Sequence, residues 1–363
     1  METYKLSDLL ELKYGKDHKK LRNGSYPCYG SGGIIRYVDE YLYDKESILI
    51  PRKGSLNNLF YVNKPFWTVD TIFWSKINSK RVDGKYLYYL LHNYDLAVLN
   101  EGTAIPSLTT KVLNQLNIKI TSLSKQRKIA QILSMFDEKI ELNNEINNNL
   151  EKQAWLLFNK YFINNKNIHK GWSTISLTSI ANFLNGIPIN KFQPSVNEDY
   201  LPVLKIKELR QGFTDSQSDI CSTNIDKQYI IRNGDLIFSW SGTLLVDFWC
   251  GDKCILNQHL FKVTSEKLDL WFVFLWLKYH LESFINIAKN KATTMGHIKR
   301  KDLEKTFILL PNEDDYEKLS NLFSPIFKKI ILSKLENKKL KHIKKQLLPR
   351  LLSGQIDVSQ IKL

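Results

Sequence analysis

The stretch Ser124–Phe162, SKQRKIAQILSMFDEKIELNNEINNNLEKQAWLLFNKYF, decides the fold. It contains no Gly and no Pro, and its seam residues recur in alternating steps of four and three: Ile129, Leu133, Phe136, Ile140, then Asn143 and Asn147, then Leu150, Ala154, Leu157 and Tyr161. A stripe that narrow, kept for about ten turns, is the seam of a coiled coil rather than the broad face of a helix lying on an ordinary core. At 1.5 Å per residue the helix would be about 55–60 Å long. Its seam needs a partner to leave water.

That partner lies in the same chain. The stepping returns between Tyr316 and Leu352 as Leu319, Phe323, Ile326, Ile330, Ser333, Asn337, Leu340, Lys344, Leu347 and Leu351, each 190 residues after its counterpart. The offset extends backwards: Thr103 aligns with Thr293, Leu108 with Ile298, Lys111 with Lys301, Leu113 with Leu303 and Ile118 with Ile308. The chain therefore reads as a tandem duplication of a globular segment followed by a long helix. Asn or Ser holds the middle of both seams, where a polar residue costs stability but fixes register.

With 363 residues, 43% of them apolar, the chain can build two real cores and is not a disordered protein. The longest apolar run, Leu270–Leu277, is too short to span a bilayer, which takes about 20 residues. Met1–Leu12 mixes charges with apolar residues and makes no secretory signal, so a cytoplasmic protein is expected. Cys28, Cys221, Cys250 and Cys254 are too few and too scattered for a disulfide framework. Cys250, Cys254 and His259 lack the second ligand pair of a structural zinc site, and no metal is expected. The formal charge of +15 points to a polyanionic partner.

In the first segment Tyr26–Ile35, YPCYGSGGII, is a turn-rich loop whose glycines permit close approach of backbone to a ligand. A phosphate or S-adenosylmethionine loop is not supported, because no buried strand precedes it and no helix opens after it. Strand-like Ser47–Pro51 runs into Arg52, Lys53, Gly54 and Ser55, and Phe60–Phe73 is rich in β-branched and aromatic residues. Basic and small polar residues at a strand end, beside Asn57 and Asn58, suit phosphates and base edges. A buried helix is expected over Lys85–Asn93, a loop over Glu101–Ser107 and a strand over Leu116–Ile120.

After a polar connection at Asn164–Gly171, the landmarks of the second segment follow in the same order: FLNGIP at 183–188, GDLIFSWSGT at 234–243, NQHLFKV at 257–263, the apolar helix 270–277 and ATTMGHIKRK at 292–301. SILIPRKGS and DLIFSWSGT align at an offset of 188, with Gly54 opposite Gly242, and the reading sets Trp240 against Lys53.

These residues resemble the DNA specificity subunits of type I restriction-modification systems, over essentially the whole chain. The resemblance is carried by SKQRKIAQILSMFDEKIELNNEIN, by KKQLLPRLLSGQI at 344–356, by YPCYGSGGII and by PRKGSLNNLFYVNKPFWTVDTIF at 51–73. It implies an α+β fold. Two mixed α/β target recognition domains, 1–121 and 164–313, would be separated by two long helices, 122–163 and 314–352. The helices would form an antiparallel intramolecular coiled coil with pseudo-twofold symmetry, leaving a tail at 353–363. Each domain would read one half of a split, asymmetric site on double-stranded DNA, and the coiled coil would set the spacer. The chain itself would hold no cofactor. Two methyltransferase subunits would bring S-adenosylmethionine and methylate adenine at N6, and restriction subunits would bring ATP and magnesium for cleavage.

By the same resemblance, DNA contacts in the first domain would come from Arg52, Lys53, Ser55, Asn57 and Thr68, with Ser31 and Arg36 from the glycine loop. In the second, Ser239, Ser241 and Thr243 match, helped by Lys191, Arg210, His297, Lys299 and Arg300. Catalysis by the chain itself is disfavoured. No Pro-Pro exists for an adenine methyltransferase loop, no Walker phosphate loop is present, and Glu11 with Lys13 has only Asp8, on the same short segment, as a nearby upstream acid for a nuclease. A protein-binding adaptor is the other alternative, separated from a DNA reader by salt dependence.

Overall fold

The computed structural model describes residues 1–102, 106–164, 171–290 and 296–361. Thr103 and Thr293, parts of the EGTAIPS and ATTMGHIKRK loops, and most of the 164–171 connection lie outside the described residues.

In chain order the elements are β1 (Glu2–Lys5), α1 (Leu6–Leu9), β2 (Leu10–Tyr14), β3 (Asn23–Gly30), β4 (Gly33–Val38), β5 (Ser47–Pro51), β6 (Phe60–Val62), β7 (Trp67–Thr68), β8 (Ile72–Ile77), α2 (Gly84–His92), α3 (Thr110–Asn114), β9 (Asn117–Ile120) and α4 (Leu123–Phe158). There follow β10 (Ser173–Ser176), β11 (Asn182–Asn185), β12 (Tyr200–Leu204), α5 (Ile206–Gln211), β13 (Ile220–Ser222), β14 (Ile230–Ile231), β15 (Leu236–Ser239), β16 (Leu245–Phe248), β17 (Cys254–Leu256), β18 (Leu260–Thr264), α6 (Leu270–Asn290), α7 (Arg300–Glu304), β19 (Phe307–Leu310) and α8 (Glu313–Leu352). The chain divides into two compact units, 1–139 with 341–363, and 140–340.

In the first unit β2, β8, β5 and β6 form an antiparallel sheet in that order, and β4, β3 and β7 a smaller one in which β3 and β7 run parallel. β5 is apolar along most of its length and buried at every residue, as an inner strand covered on both faces should be. The Asp83 carboxylate accepts from Tyr86 N and starts α2, and Thr109 caps α3 in the same way. Ile48, Ile50 and Phe73 of the sheet, Tyr86 and Leu90 of α2, Ile129 and Leu133 of α4, and Leu351 of α8 share one core. Lys344 Nζ donates to both carboxylate oxygens of Asp137, at 2.5 and 2.7 Å. Further along, Lys128 Nζ gathers the tail carbonyls of Val358, Ser359 and Ile361.

In the second unit the antiparallel sheet runs β11, β18, β15, β16, the same order element for element, and β12 with β17 repeats the parallel pair of β3 with β7. Its core gathers Phe238 and Val246, Phe272 and Trp276 of α6, Phe158 of α4, and Phe323 and Phe327 of α8. Trp271 stacks flat on Phe323, with centroids 4.5 Å apart. The apolar helix expected over 270–277 continues to Asn290. Asn143 Nδ2 donates to Asn337 Oδ1 at 2.8 Å and to Glu336, while Asn337 Nδ2 donates to Asn144 Oδ1 at 2.8 Å. Phe162, just past the C-terminal end of α4, meets Phe323, near the start of α8, whereas Asn143, earlier in α4, meets Asn337, later in α8, so the helices are antiparallel here.

The duplication is literal. α7, β19 and the start of α8 each begin 190 residues after α3, β9 and the start of α4. No seam position is exposed in either helix. The fold is α+β, two mixed domains in tandem with long helices, as the sequence implies.

Candidate nucleic-acid interface

At one end of the β2, β8, β5, β6 sheet of the first unit and of the β11, β18, β15, β16 sheet of the second, four loops are tied by the same backbone bonds. In the first unit Gly54 N donates to Pro106 O and Leu108 N to Arg52 O, around a bridge between Lys53 and Ser107. In the second, Gly242 N donates to Gly296 O and Ile298 N to Trp240 O, around a bridge between Ser241 and His297. Arg52 N reaches Thr71 O, and Trp240 N reaches His259 O. Gly54 and Gly242 both take positive φ, +84° and +62°, which a side chain would resist. Gly15 and Gly186 close the frame: a Cβ on the first would stand 2.0 Å from Val69 O, and on the second 2.2 Å from Asn257 O.

This register corrects one pairing made from the sequence. Trp240 occupies the place of Arg52, and Ser241 that of Lys53. The two anchors do equivalent work with different chemistry. The Arg52 guanidinium sits 5.3 Å from the centroid of Tyr14 and 5.9 Å from that of Phe73, and donates to Asp70 O. The Trp240 ring packs 5.8 Å from Phe261, and its Nε1 donates to Asn185 Oδ1 at 3.0 Å.

Of the residues expected to touch DNA, Lys53 and Ser55 in the first unit are exposed on this turn. Ser31 lies at its edge, its carbonyl accepting from Asn58 Nδ2 at 2.8 Å. Asn57 is held by Asp95 Oδ1 and by Ala97 N, and Arg36 donates to Leu21 O and Asn23 Oδ1, so both brace loops. Thr68 is fully buried in β7 and presents nothing to a ligand. In the second unit Ser239 is also fully buried; its hydroxyl donates to Thr243 O at 2.8 Å and fastens the turn. Ser241 is 5% exposed and meets His259 Nδ1 at 3.0 Å. Arg210 and Thr243 are brought together: with Ile206, Lys207 and Gln211 they line an open cleft of about 430 Å³. Lys191, Lys299 and Arg300 are exposed, Arg300 within 3.9 Å of Glu304, and His297 is half-buried beside Trp240.

Sequence reading missed Asn185, Gln258 and His259, which share the rim with Trp240 and Ser241; Gln258 Nε2 lies 3.5 Å from His259 Nε2. The signal was present in NQHLFKV, which falls opposite VDTIF at the offset of 188.

Glu11 and Lys13 pair with each other on β2, and Asp8 accepts from Lys5 N. A second such spacing, Glu336 and Lys338, lies in α8. Among the described residues no three His, Cys, Asp or Glu side chains gather as metal ligands. All four cysteines are buried and free, and burial raises the Cys28 and Cys250 thiols to about 11.

The domain model described as the type I restriction modification DNA specificity domain matches residues 1–152 and again 169–343. The chain belongs to the type I DNA specificity family. The specificity subunit of the type I restriction enzyme MjaIX of Methanocaldococcus jannaschii is 26% identical over 347 residues, covering 88% of this chain and 80% of that relative. The EcoBI specificity subunit of Escherichia coli is 30% identical over 146 residues, 40% of this chain and 30% of that protein. The crystal structure of the type I restriction-modification S subunit from M. genitalium shares the fold, with a TM-score of 0.61 at 17% identity, covering 99% of this chain and 96% of that one. As a member of the family, this specificity subunit carries its domain twice, once for each set of frame loops. No helix of the described residues is long and apolar enough to cross a membrane.

Proposed function

We propose that this chain is the non-catalytic reader of a cytoplasmic type I complex, in which each unit recognises one half of a bipartite, asymmetric site on double-stranded DNA. One observation carries the reading: two backbone frames share their hydrogen bonds and their glycines, while the side chains on them differ at Arg52 and Trp240, Lys53 and Ser241, Asp70 and Gln258, and Thr71 and His259. A scaffold kept twice with its rim chemistry changed is what two readers of different half-sites need, since sequence is read by side chains at base edges and register is fixed by phosphate contacts.

The long helices would set the unread spacer. Two methyltransferase subunits with S-adenosylmethionine would modify adenine N6 at the site chosen, and restriction subunits with ATP and magnesium would cut where modification is absent. The net charge of +15 supports a duplex as the ligand. The test is single-molecule sequencing of N6-methyladenine in cells with and without this chain beside its methyltransferase partner. Loss of one split motif on deletion is the expected result. A methylation pattern unchanged by deletion would leave a protein adaptor as the better reading.

A further inference from the structure

We propose that the loop Gly15–Asn23 of the first unit is a clamp for DNA phosphates, and that the matching loop of the second unit is not. The inference rests on the DNA-reading role above and assigns an unassigned part of that surface. The loop reads GKDHKKLRN, and Lys16, Lys19, Lys20 and Arg22 are all exposed. None of the four forms an ion pair with a described residue, although eleven such pairs occur elsewhere among the described residues. The single acid, Asp17, is exposed and turned back on its own loop: its Oδ1 accepts from Lys19 N at 3.0 Å, and that bond, helped by the nearby Lys19 charge, holds its carboxyl below the usual range.

The cations are mounted on a fixed backbone. Gly15 N donates to Ile72 O and Lys16 N to Thr68 O, so the loop leaves the sheet beside the reading turn. Trp67 Nε1 donates to Lys16 O at 3.1 Å, Arg36 to Leu21 O at 2.8 Å, and Arg22 N to Asp39 Oδ1 at 2.9 Å. Leu21 packs on Cys28, Val38 and Trp67. Arg36, expected from the sequence to touch DNA, thereby acts as a positioning residue for this loop. Four unpaired cations on a rigid loop, flanking a turn with Lys53 and Ser55, match a row of phosphates rather than base edges.

The second unit departs at this point. Its loop opens at Gly186, pinned against Asn257 O as Gly15 is against Val69 O, but it continues GIPINKFQPSVNED, where Lys191 is the one cation against Glu198 and Asp199. Grip on the backbone should therefore be lopsided, strong at the half-site read by the first unit.

The experiment titrates the full-length chain with a duplex bearing its methylation motif and with a scrambled duplex, over a range of salt, for the wild type and for the triple variant Lys19→Gln, Lys20→Gln, Arg22→Gln. Each lost phosphate contact lowers the slope of log K against log salt by about 0.9, so the variant's slope should be shallower by about 2 to 3, with both duplexes weakened alike and the methylated motif unchanged. A charge-keeping variant, Lys19→Arg with Lys20→Arg, should bind as the wild type does, and the triple variant should unfold at the wild-type midpoint, which together tie the loss to charge and not to fold. Lys191→Gln should move the slope by no more than about 1. A triple variant with the wild-type slope overturns the clamp while leaving the DNA reader intact. A wild type whose binding ignores salt overturns both.

Discussion

At the scale of the residue, the frame depends on two glycines that no propensity argument singled out. Gly15 and Gly186 pass so close to the carbonyls of Val69 and Asn257 that a methyl group would overlap backbone oxygen, which cannot swing aside as a side chain can. Gly15→Ala and Gly186→Ala should each cost on the order of 1–3 kcal/mol or more, because a well-packed backbone must shift to admit the methyl. Thermal unfolding should show a lowered midpoint for each, and the methylation motif should blur in one half only, a different half for each variant. An alanine variant with wild-type stability would mean that the loops do not approach as described. Position by position, the sequence was a poor guide to the rim. It picked out Lys53, Ser55 and Thr243, which are exposed, and also Thr68 and Ser239, which are fully buried. Polar side chains at strand ends look alike in one dimension whether they face solvent or fasten the turn beneath it. Only the folded turn separates Ser239, bonded to Thr243 O four residues on, from Thr243 itself, which is exposed.

Elements were legible where a period existed. The 4–3 stepping located both long helices, and burial follows it along their whole length. The short strands of the smaller sheets were not read individually: the run Phe60–Phe73 is β6, an isolated bridge at Phe66, β7 and the start of β8, because tertiary pairing rather than local pattern breaks it. Within the seam, the polar residues differ from one another in a way the sequence conceals. Asn143 Nδ2 donates to Asn337 Oδ1, whereas Asn147 Oδ1 and Ser333 Oγ are buried with no hydrogen-bond partner among the described residues. Removing a satisfied partner strands the other, so Asn143→Ala should destabilise by about 1–3 kcal/mol. Removing an unsatisfied hydroxyl relieves a desolvation cost, so Ser333→Ala should stabilise by up to about 1 kcal/mol. Midpoints from urea unfolding of the full chain should move in opposite directions for the two variants. Movement in the same direction would show that the seam is not partnered as described.

At the scale of the molecule, the ruler proposed for the long helices makes a demand that one inserted turn does not meet. Four residues added near Asn143–Asn147 of α4 alone would rotate every later seam position off its face, since the 4–3 stepping repeats every seven residues and a four-residue insert is a stutter. In the second unit Asn143 meets Asn337, so an insert after Asn143 in α4 must be matched by one in α8 before Asn337. Seven residues in each helix keep both seams in phase and add about 10.5 Å of rise, close to 3 base pairs at 3.4 Å each. The expected methylome of this double insertion keeps both specific halves and lengthens the gap between them by about 3 base pairs. The single four-residue insertion should instead lower stability and reduce methylation at every site. If the double insertion folds and the gap stays as it was, the spacer is set by something other than these helices, and the half-sites are read by units whose separation the seam does not govern.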